Sequence, residues 1–392
     1  MSRKGPSTTG VAKFDPDTLL TSPEIHQTAR EALNQNDLQS AIKTAFNLSQ
    51  KDKYTYHASV SITLEQAQAA INAGGANGLC AWYPSEELFK DDEGGERRRL
   101  SYPSLPEVQG YISLFDPAKS SEKALKGFKA NAKKGSLQAG IAENLVAKRY
   151  IAPDAGLVIT RAKKGHPNVY ADFWAWSCVA LRWGGPNAMS ASTQMSHHVL
   201  PIFMHHFGCV VPSWEALEII RVVSKGRTVL DVGSGNGYWS YMLRRMGVET
   251  VAIDNGQSAW RTLWLSDTVN EDGAKYIKTR RKGGKDDVLL MVYPVVGVEF
   301  TVSTLNAFHG DVICVVGTQN GNGYTGFKDE MIDSWMARER KGFERIVQVP
   351  LPSFAGKDDA LFVFRRKQEQ PAATDGSENG HQKQNGNGTA ES

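Results

Sequence analysis

One stretch of this chain restricts its fold more than any other, the segment from Val229 to Ser240, VLDVGSGNGYWS. A short β-branched run enters three alternating glycines, Gly233, Gly235 and Gly237. Beyond them Trp239, Met242, Leu243 and Met246 recur at the spacing of one helix face, and Gly247 is placed to stop it. The pattern predicts a strand, a tight turn and a helix. Glycine lacks a Cβ, so such a turn adopts positive φ and lets a ligand lie against bare backbone at the carboxyl end of the strand. The next predicted strand ends in Asp254, whose carboxylate suits the two hydroxyls of a ribose. Together these features predict a site for an adenosine-containing cofactor.

Glycine spacing discriminates between cofactors. Dinucleotide sites use G-x-G-x-x-G to seat a pyrophosphate on a helix N-terminus; here the pattern is G-x-G-x-G, and Tyr238 stands where the third dinucleotide glycine belongs. Asp231 adds a carboxylate beside the turn, which repels a pyrophosphate and attracts a cationic amino-acid group. Both facts favour S-adenosylmethionine over NAD.

Around this segment, β-branched runs alternate with amphipathic stretches, the pattern of an α/β protein with a parallel sheet. Strands are predicted at Thr228–Gly233, Glu249–Asp254, Val288–Tyr293, Asp311–Gly317, Glu344–Val349 and Ala360–Arg365, the last two as an antiparallel pair at one end of the sheet. Phe327, Met331, Ile332 and Trp335 mark another helix, ended by Gly342. Upstream, Ser22 and Pro23 open a helical pair broken at Asn36-Asp37, and the charged run Asp91 to Arg99 reads as an exposed loop. The expected organisation is a disordered start (1–15), a mainly helical region that caps the acceptor site (16–200), a Rossmann-like domain (201–367) and a disordered tail (368–392).

Composition removes several classes of function. With 45 Lys plus Arg against 42 Asp plus Glu, the formal charge of +3 on 392 residues gives no general affinity for polyanions. The longest nearly apolar run, Leu289 to Val298, contains Pro294 and Gly297, whereas a bilayer-spanning helix needs about 20 apolar residues. A polar start without an apolar h-region argues against export, and four separated cysteines argue for a reducing, intracellular compartment.

Val229 to Gly237 with Asp254 resembles motifs one and two of the class I S-adenosylmethionine-dependent methyltransferases. The longer text, from Val211-Pro212-Ser213-Trp214 through Asp287–Pro294 and Gly310-Asp311 to Asp359–Arg365, is similar to a little-characterised branch of that superfamily. The resemblance implies a Rossmann-like sheet and a methyltransferase activity. It implies that Gly233, Ser234, Gly235, Asn236 and Gly237 wrap the methionine part of the cofactor and that Asp254 holds the ribose. An acid after the third strand would meet the adenine amine, Asp272 in preference to nearby Asp267. Tyr293, at the end of the fourth strand, would face the transferred methyl and either position the acceptor or close the adenine side, the alternative being a strand-end tyrosine packed against a neighbouring helix. In that branch this strand end reads Trp-Pro-Pro, similar to the Asn/Asp-Pro-Pro-Tyr of amino-group methyltransferases. Here it reads Tyr293-Pro294-Val295, without the acceptor anchor that exocyclic-nitrogen methylation uses. The acceptor is therefore open among small molecule, protein and nucleic acid, with a small molecule favoured by the low net charge. The alternatives are a non-catalytic scaffold binding the same cofactor and an NAD-dependent oxidoreductase.

Other conspicuous residues carry blander readings. His197, His198, His205, His206 and Cys209 have a spacing interrupted by Pro201, and no metal site is expected there. Trp176, Val179, Ala180 and Trp183 read as a core-facing helical stripe, and the basic clusters Lys119–Lys134 and Lys278–Lys285 as solvated surface.

Overall fold

The computed structural model of the chain describes residues 14–58, 60–74, 80–90, 96–162, 167–193, 197–257, 261–295, 297–320, 326–327 and 330–368. Most of the two segments expected to be disordered lies outside this set. Phe14 and Asp15, however, are placed. Phe14 packs on Phe46 at 5.1 Å between ring centroids, and Asp15 caps the helix Pro16–Thr21.

Among the described residues the stretch from Pro16 to Lys148 is mainly helical, with two small hairpins, β1 (Tyr56–His57) with β2 (Ser61–Ile62) and β3 (Pro84–Lys90) with β4 (Glu96–Leu100). The predicted helical pair forms as Pro23–Asn34 and Leu38–Ala45, opened by Ser22 and Asp37 caps. The charged run is not all loop: its second half pairs as β4.

Among the described residues the main sheet has eight strands: β5 (Tyr150–Ile151), β6 (Val229–Val232), β7 (Thr250–Asp254), β8 (Val269–Asn270), β9 (Val288–Val292), β10 (Val312–Thr318), β11 (Phe343–Pro350) and β12 (Asp359–Arg366). Their order is β5-β11-β12-β10-β9-β6-β7-β8. The run from β10 to β8 is parallel, while β12 runs antiparallel to both β10 and β11. The predicted antiparallel pair therefore exists, with β12 inserted between β10 and β11. Beyond it, β5 pairs Tyr150 and Ile151 with Gln348 and Val347 and covers the edge that β11 would expose.

Both faces of this sheet are buried, as in parallel sheets generally. Successive residues of β9 alternate between two cores, Val288 and Leu290 in one, Leu289 and Met291 in the other. The second core is closed by the helices Gly273–Arg280, Val298–Ala307 and Ile332–Glu339. The first core also takes in Trp239 and Met242 from the helix Tyr238–Arg245 and, without interruption, Leu38, Trp82, Ile141 and Trp174 from the amino-terminal region. That helical region therefore shares the core of the sheet.

The helix Val169–Ala180 differs in phase from the expected stripe. It buries Tyr170, Phe173, Trp174, Ser177 and Cys178, while Val179 is 43% exposed. Trp183 is buried but lies past the helix end, and its indole N–H joins that of Trp174 on the Ser353 carbonyl, at 2.9 and 3.0 Å. Those two hydrogen bonds satisfy both indoles inside the core. They also fix the loop between β11 and β12.

Candidate cofactor-binding site

A cavity of about 410 Å³ opens at the carboxyl ends of β6, β7 and β9. This is where ligands sit in open α/β sheets. Its floor is the predicted turn. Gly233, at φ +76, leaves no space for a side chain, since a Cβ there would lie 2.9 Å from Phe300 Cζ. Gly237, at φ +80, precedes the first helical residue, Tyr238, and packs beneath Leu265.

Asp254 ties the loops after β6 and β7 together. Its Oδ2 accepts from the Gly235 amide at 3.0 Å and its Oδ1 from the Gly256 amide at 2.8 Å. Each carboxylate oxygen retains a further lone pair for a hydroxyl donor. Asp272 lines the cavity while capping the helix Gly273–Arg280 through the Lys275 amide at 2.8 Å. Gly233, Ser234, Gly235, Asn236 and Tyr293 also line it, so seven of the nine predicted residues converge on one space.

Gly237 and Asp231 stand behind that wall. Asp231 is fully buried, with Oδ2 accepting from Ser240 at 2.7 Å and Oδ1 without a hydrogen-bond partner. Burial pushes its carboxyl up to about 7; the Ser240 hydroxyl opposes the shift and the Asp254 charge adds to it. Ser234 Oγ and Asn236 Nδ2 are likewise buried and unpartnered. Buried polar groups without partners are costly. Their clustering on the glycine turn fits a polar ligand laid against it.

Tyr293 adopts φ +53, the left-handed region that side-chain-bearing residues rarely occupy, while its amide donates to the Val316 carbonyl at 2.8 Å. The chain thus turns sharply out of β9 at the residue expected to face an acceptor.

Sequence reasoning did not find several other wall residues. Glu271 stands beside Asp272, and its signal was there, an acidic pair directly after a short third strand. Phe207, Gly208 and Cys209 form the opposite side, arriving from the histidine-rich helix Leu200–His206. Arg261 and Glu299 had no motif around them. The charged wall is Asp254, Glu271, Asp272 and Glu299 with the single cation Arg261 among the described residues. Lys275 and Arg280 meet Glu271 at 3.3 and 3.7 Å.

The histidines serve the core. His206 links the Tyr56 hydroxyl at 3.1 Å with the Thr262 hydroxyl at 2.8 Å and stacks on Phe46. Among the described residues no cluster of three or more His, Cys, Asp or Glu is arranged to hold a metal ion. Pro201 lies in the first turn of its helix, where a missing amide costs nothing. No helix among the described residues is long and apolar enough to cross a membrane.

The strand order, read from β8 inward to β10 and then across the reversed β12 to β11, is that of the Rossmann-like class I S-adenosylmethionine-dependent methyltransferase fold. No protein-family model matches the chain, and a search of curated proteins returned no match. Solved structures similar to it include a SAM-dependent methyltransferase from Bacteroides fragilis in complex with S-adenosyl-L-homocysteine (16% identity, 38% of this chain and 76% of that one, TM-score 0.25). Others are magnesium protoporphyrin IX methyltransferase from Synechocystis (13%, 45% and 91%, TM-score 0.28) and an O-methyltransferase of tomaymycin synthesis from Streptomyces achromogenes (13%, 39% and 78%, TM-score 0.27). Likenesses this distant carry no functional argument, which rests on the residues of this chain.

Proposed function

We propose that this protein is an S-adenosylmethionine-dependent methyltransferase acting on a small molecule. One observation carries the reading: a glycine-rich turn, hydrogen-bonded to Asp254 through the Gly235 amide, borders a cavity walled by four carboxylates and one guanidinium. A sulfonium donor with an α-ammonium group is attracted to such a wall, whereas a pyrophosphate is repelled by it. The same acidity, with a whole-chain charge of only +3, disfavours a nucleic-acid acceptor. An intracellular location belongs to the same proposal, supported by four cysteines that are all free thiols.

In this reading Gly233 to Gly237 hold the amino-acid half, Asp254 the ribose, and Asp272 with Glu271 the adenine edge. Asp231 sits beneath the turn, where an ammonium laid above it would favour its ionised form. When bound, S-adenosylmethionine supplies a methyl group already activated by its sulfonium leaving group. The protein's task is then alignment. Tyr293, turned out of β9, would position the acceptor.

The test is ligand-dependent unfolding. S-adenosylhomocysteine at about 100 times its dissociation constant should add ~2.7 kcal/mol to stability, and NAD should add nothing. Asp254→Ala should weaken S-adenosylhomocysteine binding by roughly 10- to 100-fold, the value of hydrogen bonds to a charged group. Stabilisation by NAD alone would sink the proposal. Methyl transfer from labelled donor to a small-molecule fraction of cell extract would identify the acceptor class; label in a protein or RNA fraction would overturn that part, and no label anywhere would leave a binding scaffold.

A further inference from the structure

We infer that Arg261 clamps the α-carboxylate of the cofactor's amino-acid tail and so makes the site selective for amino-acid-bearing adenosines over adenosine itself. This inference rests on the cofactor reading above and deepens it. Arg261 follows β7 and reaches back over the glycine turn, its Nη1 lying 3.6 Å from the position a Cβ would take on Gly235. Burial, with the nearby Arg261 charge adding to it, holds the His205 imidazole below its usual range.

The cavity's charges come from separate elements, with Asp254 bonded to the turn through the Gly235 amide. Glu271 and Asp272 follow β8, Glu299 lies on the helix after β9, and Asp254 ends β7. Arg261 is the one cation of the wall among the described residues, and it stands at the turn. The tail of S-adenosylmethionine carries one anionic group, and it must be met where the wall is positive. A guanidinium suits it, because its planar fork engages both carboxylate oxygens, which an ammonium does not reproduce. An arginine held against a glycine is also brought close to the ligand, since no side chain at Gly235 separates them.

Ligands that differ only in the tail test this directly. Dissociation constants are measured by calorimetry for S-adenosylhomocysteine, 5′-methylthioadenosine and decarboxylated S-adenosylmethionine, on the native protein, Arg261→Gln and Arg261→Lys. Arg261→Gln should weaken S-adenosylhomocysteine about 10- to 100-fold. The two ligands without a carboxylate should change less than about two-fold, and Arg261→Lys should fall between for S-adenosylhomocysteine. Unfolding midpoints of the ligand-free variants, together with intact 5′-methylthioadenosine binding, show that the fold survives. Equal weakening of all three ligands would reveal a merely structural arginine and overturn the clamp. Unchanged S-adenosylhomocysteine binding would overturn it as well, while leaving the cofactor reading standing. Failure of the native protein to bind any of the three would overturn both.

Discussion

Lys148→Met should cost about 3 kcal/mol of folding stability, an effect far larger than a surface charge would give. Its partner Asp358 is fully buried at the carboxyl end of the sheet, just before β12. Asp358 Oδ2 accepts from Lys148 Nζ at 2.5 Å and Asn144 Nδ2 at 3.1 Å, and Oδ1 from Gln319 Nε2 at 2.7 Å. Lys148 ends the helix Leu137–Lys148, so the carboxylate joins the amino-terminal helices to the loops after β10 and β11. Removing the lysine strands a buried charge, which is the expensive way to break such a pair. Asp358→Asn should cost less, because Lys148 is already 27% exposed and can turn to water. The double variant should therefore lose less than the sum of the single losses. Urea unfolding of the four proteins measures this coupling. Additive losses, or a Lys148→Met midpoint close to that of the native protein, would show that the helical region is not held to the sheet through this carboxylate.

That network also shows what a sequence hides. The glycine turn, Asp254 and the strands β6, β7, β9, β10, β11 and β12 were legible because each is written in a few consecutive residues: a period, a breaker, an acid at a strand end. The fit of Lys148 to Asp358 is a contact across 210 positions, and nothing local to either residue announces it. The same holds for β5, a strand of two residues that exists because Val347 and Gln348 offer it an edge. In the helix Val169–Ala180 the true buried face, Tyr170, Phe173, Trp174 and Ser177, competes with a second aromatic spacing through Trp176 and Trp183. Tertiary packing decides between them; Trp176 settles at the rim and donates to Asn36. Arg261 was invisible for another reason. Its neighbours carry no helical or strand period, so only the folded chain shows it beside Gly235. The candidate site was thus legible where backbone shape makes it, at the glycine turn, and obscure where loops bring in its charges.

Stability should peak near neutrality and fall steeply below about pH 6. Burial holds four imidazoles below their ordinary range: His197 and His206 far below, His205 at about 3, and His198 less so. A histidine kept neutral in the fold contributes stability that is present above its unfolded value near 6.5 and lost as pH falls, because the unfolded chain then takes up the proton. Two carboxyls act in the opposite sense. Burial raises Asp231 and Asp359 to about 7, so the folded state holds their protons in acid and their contribution is lost as pH rises through 7. Around pH 7 the two sets nearly cancel. Near pH 5 the unfolded chain binds roughly one to two protons more than the fold, giving a slope of ~1.4–2.7 kcal/mol per pH unit. His197 allows the origin of the slope to be isolated. Neither of its ring nitrogens has a hydrogen-bond partner, and its ring lies 5.2 Å from that of Phe354. An apolar replacement therefore removes a proton-binding site without orphaning a partner. His197→Leu should be near neutral at pH 7 and flatten the acid limb by about 1.4 kcal/mol per pH unit, measured as urea midpoints at pH 5, 6, 7 and 8. An acid limb of unchanged slope in that variant would assign the acid sensitivity to groups other than this imidazole, and a native protein equally stable at pH 5 and pH 7 would mean that the buried histidines take up their protons without unfolding.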